Sequence, residues 1–95
     1  MNRLVLTAAL VERGALRYTP AGIPALDLNL KHESDMTTQE GSTRKVSVEV
    51  RARALGEITR RVAQLELGSE HGFAGFIGSL RNGKGVVFHV TELDG

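Results

Sequence analysis

The chain of 95 residues has no cysteine and no tryptophan, only two prolines, and four aromatic side chains, one Tyr and three Phe. Without cysteine it can form neither a disulfide nor a thiolate metal site. Its three histidines, His32, His71 and His89, are not paired at metal-ligand spacing, so no metal and no cofactor is expected. Long apolar runs are missing too. Residues 1–11 are interrupted by Thr7 and followed by Glu12, too short and too polar-flanked for a spanning helix or a signal peptide. A cytoplasmic protein with no membrane partner is expected. Charge of one sign is also absent, since 12 Lys or Arg stand against 11 Asp or Glu for a net +1. That balance gives no global reason to expect nucleic acid, so any such reading rests on where the charges sit. A chain this short hides only about 60 to 65% of the surface its unfolded form exposes, which implies one domain, residues 1–95, whose modest core gains from barrel closure or dimerisation.

What the sequence does hold is alternation. Leu4, Leu6, Ala8 and Leu10 are apolar at every second position, which predicts a first strand with its even face inward. Thr19-Pro20-Ala21-Gly22 then reads as a turn, because Pro presets the φ of the second position and Gly ends it. A second strand carries Leu26, Leu28 and Leu30 inward and Asp27, Asn29 and Lys31 outward. Residues 33–43 show no apolar period and are expected to be a mobile loop. The third strand sets Val46, Val48 and Val50 against Lys45, Ser47, Glu49 and Arg51. Over residues 54–67, Leu55, Ile58, Val62 and Leu65 make one stripe of an amphipathic helix, with Gly68 as its left-handed stop. The fourth strand, 72–80, is read with Ala74, Phe76, Gly78 and Leu80 on the core face, its glycines marking bends or close backbone approach. Asn82-Gly83 signals a tight hairpin into the fifth strand, 86–93. Three strands, a short helix and two more strands is the element order of an all-β, five-stranded OB-fold Greek-key barrel, a fold that binds oligonucleotides or oligosaccharides.

Enzyme signatures are weak. His32, Ser34 and Asp35 lie close in sequence but in the expected loop, where a triad lacks the rigid mutual orientation it needs. Gly72-x-x-Gly75-x-x-Gly78 lies inside a strand with no following Gly-Lys-Ser and no helix, so it is not a phosphate loop. The chain is not expected to be an enzyme. Charge placement says more, because residues 44–61 hold six cations against two carboxylates whereas 33–43 hold three carboxylates and no cation. Arg60 and Arg61 are assigned to a solvated helix face. Arg44, Lys45 and Arg51, with Lys31 on the neighbouring strand and Arg13, Arg17, Arg81 and Lys84 at turns, could form a cationic track for phosphates. Stacking is poorly provided for, since Phe76 and Phe88 are placed in the core and Tyr18 is the one aromatic at a ligand-facing turn. Phe73, Ile77 and Val87 are read as outward with Val5, an apolar surface suited to burial in a dimer.

Asn2-Arg3-Leu4-Val5-Leu6, the segment Arg17-Tyr18-Thr19-Pro20-Ala21-Gly22-Ile23-Pro24 with Leu26-x-Leu28 after it, and Gly75-Phe76-Ile77-Gly78 resemble bacterial single-stranded-DNA-binding proteins, and more closely their short relatives, the family of primosomal replication protein N. The resemblance implies an OB-fold homodimer joined largely through the first strands, with Arg3, Val5, Thr7, Phe73 and Ile77 at the interface. It implies binding of single-stranded DNA and bridging of the restart helicase PriA to a downstream primosome loading factor. On the family pattern DNA would meet Arg17 and Tyr18 in the first turn, Arg44, Lys45 and Ser47 on the third strand, and Arg81, Asn82 and Lys84 in the last hairpin. Two departures stand out: no aromatic lies near Ser47, and the last hairpin is short. Both imply weak binding, mainly through phosphates, with helicase contact carrying more of the role. The alternative is a general single-stranded-DNA-binding protein without a helicase partner. A small OB domain for protein or sugar alone is a third class.

Overall fold

The alternation that begins at Ala25 places Leu26, Leu28 and Leu30 in the core of the computed structural model, which describes residues 1–81 and 83–94. The elements are β1 (Leu4–Arg13), β2 (Arg17–Tyr18), β3 (Pro24–Thr37), β4 (Thr43–Leu55), α1 (Ile58–Ala63), β5 (Glu70–Ser79) and β6 (Val86–Asp94). Strand order is β1-β5-β6-β4-β3-β2, and β1 also pairs with β3, so five long strands close into a barrel with the two-residue β2 on the flank of β3. This is the OB-fold expected from the sequence, with its short helix between the third and fourth long strands. All pairings are antiparallel except β4 with β6, where Ala52 faces Phe88 and Ala54 faces Val90. Alanines on β4 leave the space that Phe88 and Val90 fill, and all four are buried.

The helix is shorter than the apolar stripe over 54–67 predicts. Leu55 still pairs with Ala25 in the β3–β4 ladder and is exposed, and Gly56, at φ +81°, breaks the strand. The Gly56 carbonyl accepts from the Thr59 hydroxyl at 2.6 Å, which starts α1 and satisfies the one buried polar side chain among the described residues. Val62 plugs the end of the barrel, fully buried, with Ile58 and Leu65 packed at its sides. Past α1, Gly68 takes φ +90° and its N–H donates to the Leu10 carbonyl, tying the turn to β1 rather than capping a long helix.

The expected loop over 33–43 is mostly ladder. β3 runs to Thr37 and β4 starts at Thr43, with partners continuing from Glu33 opposite Ser47 to Thr37 opposite Thr43. Only 38–42 make the turn, closed by Thr38 N–H to the Ser42 carbonyl at 2.7 Å. This arm projects beyond the barrel with both faces largely solvated, so pairing there demands no apolar period.

On β5 the two faces are the reverse of the expected ones. Leu6 is inward and lies opposite Phe73, and residues opposite each other in an antiparallel pair share a face. Phe73 is therefore core and fully buried, Ile77 packs against the core, Val87 is buried as well, and Phe76 points out. Phe73, Ile77 and Val87 thus do not form the outward apolar surface assigned to them. Glycines every third residue put apolar side chains on both faces, so period two could not choose between them. Close approach does explain the glycines: a Cβ at Gly75 would collide with the His89 carbonyl, beside the register shift between Ala74 and Gly75. The β5–β6 connection is longer than a two-residue turn. Ser79 opposite Val86 is the last ladder pair, and Gly83 N–H closes onto the Leu80 carbonyl at 2.9 Å. Asn82 lies outside the described residues.

Candidate nucleic-acid interface

The outer face of the barrel carries a row of polar and aromatic side chains across four strands. Register sets it: Asp27 on β3 faces Arg53 on β4, Arg53 neighbours His89 on β6, and His89 faces Phe76 on β5. Arg17, reaching over from β2, donates to both Asp27 carboxylate oxygens at 3.1 and 3.2 Å, and Arg53 Nε donates to Asp27 Oδ1 at 3.0 Å. One carboxylate thus holds two guanidinium groups. Burial pushes the Asp27 carboxyl up, but the hydrogen bonds and charges of Arg53 and Arg17 outweigh it and hold the group below its ordinary value. Burial, helped by the Arg53 charge, lowers His89, which favours a neutral imidazole at pH 7.

Next to this row lies a second one, in which Arg51 is opposite Asn29 and Asn29 Nδ2 donates to Glu12 Oε2 at 3.3 Å. The two rows wall an open cavity of about 290 Å³ with Arg51 and Arg53 on one side, Glu12 and Asp27 on the other, and Leu80 of the β5–β6 connection at its edge. Further along the same face come Lys31 opposite Glu49, Ser47 opposite Glu33 and Lys45 opposite Asp35, with Lys45 Nζ 3.9 Å from Glu33. Cations and carboxylates interleave throughout. The face can hold phosphates, and at Arg17 and Arg53 these compete with the Asp27 carboxylate already in contact with both guanidinium groups.

The chain is similar to known proteins over nearly its whole length. A family described as another single-strand binding protein family matches residues 2–92. Replication restart protein PriB of Bordetella pertussis is 43% identical over 81 residues, covering 85% of this chain and 75% of that protein. The chain belongs to the PriB family. A crystal structure of PriB from Ralstonia solanacearum superposes on 99% of it and 96% of that chain with a TM-score of 0.87 at 32% identity. A PriB of Neisseria meningitidis serogroup B is 52% identical over a shorter 56 residues, 58% of this chain and 55% of that protein.

Within this PriB-family barrel the residues singled out from the sequence fall into three groups. Arg17, Lys31, Arg51, Lys45 and Ser47 share the outer face, and Arg17 with Arg51 brackets the cavity region beside Asp27. Exposed Tyr18, Arg81 and Lys84 stand at the turns that flank it. Arg13 and Arg44 do not belong with these. The Arg13 guanidinium donates to the Val62 and Leu65 carbonyls at 3.2 and 2.6 Å, so it closes the open end of α1 and is spent on the fold. Arg44 is opposite Met36, on the face of the arm that carries Val46 and Val48, because successive strand residues alternate sides. Of the first-strand residues, Arg3, Val5 and Thr7 are exposed as expected, with Arg3 3.3 Å from Glu92. The histidine of the weighed triad, His32, does contact Ser34 at 2.9 Å, but Asp35 projects from the opposite face beside Lys45.

Three residues of the face were missed. Arg53 continues the outward parity of Ser47, Glu49 and Arg51, a signal lost by starting the helix at 54. Phe76 was hidden by the reversed β5 parity, and the pairing of Phe73 with Leu6 reveals it; His89, outward beside core Phe88 by alternation, gains its place in the row only through its pairing with Phe76.

Proposed function

We propose that the protein binds single-stranded DNA across the outer face of β3, β4 and β6 during replication restart, as a non-enzymatic homodimer that bridges the PriA helicase to a downstream loading factor. The observation that carries the DNA reading is the Arg17–Asp27–Arg53 row with Arg51 beside it, three strands wide, on the sheet face that OB-folds use for oligonucleotides. Membership in the PriB family supports the replication-restart setting. Because each arginine of the row already contacts a carboxylate, the affinity is low and mostly ionic. If Arg17, Lys31, Arg51 and Arg53 each take one phosphate, log affinity falls on log salt with a slope of about −3, at about −0.7 per contact for single strands. Fluorescence anisotropy of a labelled dT oligonucleotide over a salt series checks this, and nanomolar binding that survives high salt overturns the ionic reading. Pull-down of PriA by the tagged chain tests the bridge. DNA binding without any helicase retention would favour a general single-strand coat protein.

A further inference from the structure

Phe76 stands on the outer face of β5 with 42% of its surface exposed, on a chain that has only four aromatics. Its ring is not loose. It lies against the His89 imidazole with centroids 4.7 Å apart and planes 11° from parallel. Gly78 leaves room for that arrangement, since a Cβ there would stand 3.0 Å from His89 Nε2 and make the ring shift by a few tenths of an ångström. Beside the ring pair lies a cavity of about 270 Å³ whose other wall is Leu55 and Ile58 and whose cation is Arg53. An exposed ring alone is ordinary surface, but a ring braced by a second ring, facing an apolar wall and next to a guanidinium, has the parts of a stacking slot. The cavity is smaller than the roughly 300 to 1,000 Å³ of sites for drug-sized ligands, so it suits one flat ring system. Arg53 also belongs to the Arg17–Asp27–Arg53 row, so the phosphate contact proposed there would lie next to the slot.

We propose that the Phe76–His89 pair is a base-stacking platform on which one unstacked nucleobase of single-stranded DNA lies, its phosphate held at Arg53. The platform rests on the DNA-binding function proposed above and adds to it a contact that salt does not screen. Neutral His89 suits the role, because it braces Phe76 without placing a second charge beside Arg53.

The test compares the full chain with Phe76→Ala and Phe76→Trp variants on dT30 and on an abasic oligomer of equal length. Wild type should prefer dT30. Phe76→Ala should weaken dT30 binding by about five- to a hundredfold, leave abasic binding unchanged, and keep the salt slope, since no phosphate contact is lost. Phe76→Trp keeps a stacking ring and introduces the sole tryptophan, so its emission reports on this site alone. It should bind dT30 at least as tightly as wild type, with emission quenched by dT30 and not by the abasic strand. Equal affinity of wild type and Phe76→Ala for dT30, or unchanged Trp emission at saturating dT30, overturns the platform and leaves the proposed function standing. Loss of PriA retention by Phe76→Ala with dT30 binding intact would also overturn it and reassign the ring to a protein contact. Absence of wild-type binding to either strand overturns the function and the platform together.

Discussion

Asp27 contacts two guanidinium groups at once, and removing its charge acts on stability and on binding in opposite directions. Exposed ion pairs contribute roughly 0 to 1 kcal/mol each, so Asp27→Asn should lower stability by no more than about 1 to 2 kcal/mol for the two pairs. The same change frees Arg17 and Arg53 and removes a negative charge from beside the phosphates. At about 1 kcal/mol for charges roughly 4 Å apart in water, ssDNA affinity should rise about fivefold. Urea denaturation and anisotropy on one sample check both signs, and a fall in affinity would mean that Asp27 holds the arginines in place rather than competing for them. His89 gives a separate pH signature. Burial, then the Arg53 charge, sets its folded value below 6.5, so its contribution to stability is fully present above the unfolded value and is lost as pH falls through the folded one. Melting temperature should therefore drop as pH falls below about 6.5, and His89→Gln should flatten that drop.

At the scale of elements, α1 depends on a side chain from β1. A six-residue helix cannot satisfy its last carbonyls alone, and the Arg13 guanidinium supplies two donors to that end. Hydrogen bonds to a charged group contribute about 1.5 to 3 kcal/mol, so Arg13→Ala should cost about that much in stability, with ssDNA affinity and salt slope unchanged in the folded fraction. An affinity loss with a shallower slope would return Arg13 to the phosphate track. How far each element could be read from the sequence follows what holds it. β1 and β3 bury one face against the core, so alternation alone fixes them and sets Leu10, Leu26, Leu28 and Leu30 inward. The arm beyond His32 has no such face, so its ladder left no apolar trace. β5 packs side chains on both faces, and its parity is decided by pairing with β1, a contact between residues about 70 apart in sequence that no local period reports. The site inherits these limits: Lys31 and Arg51 were legible from outward positions on patterned strands and Arg17 from its place at a turn, whereas Arg53 required knowing where β4 ends, and the pairing of Phe76 with His89 required knowing which way β5 faces.

For the whole molecule, the near-neutral net charge comes with local pairing, since Arg3, Arg17, Lys45 and Arg53 each stand 3.9 Å or less from a carboxylate, and association is left to the edges of the barrel. The Leu4–Ala8 half of β1 pairs with β5, while the ladder to β3 begins only at Ala9. On its other edge His32 Nδ1 meets the Thr7 carbonyl at 2.7 Å, and Val5 is 68% exposed. An edge of this kind, with open backbone groups and an exposed apolar side chain, is a template for pairing with another strand. Two copies meeting there about a two-fold axis place residue 5 of each near the other, together with Arg3 and Thr7. Light scattering at tens of micromolar should therefore give twice the 10.3 kDa chain mass. Val5→Glu brings two carboxylates together across the axis and should yield the single-chain mass while leaving circular dichroism unchanged, because Val5 is outside the core. Separating the copies also separates two DNA faces that one strand could span, so the variant should lose more affinity for a long dT strand than for a short one. A wild-type chain that scatters as a monomer at that concentration, or equal losses on long and short strands, would mean that each barrel holds its DNA alone.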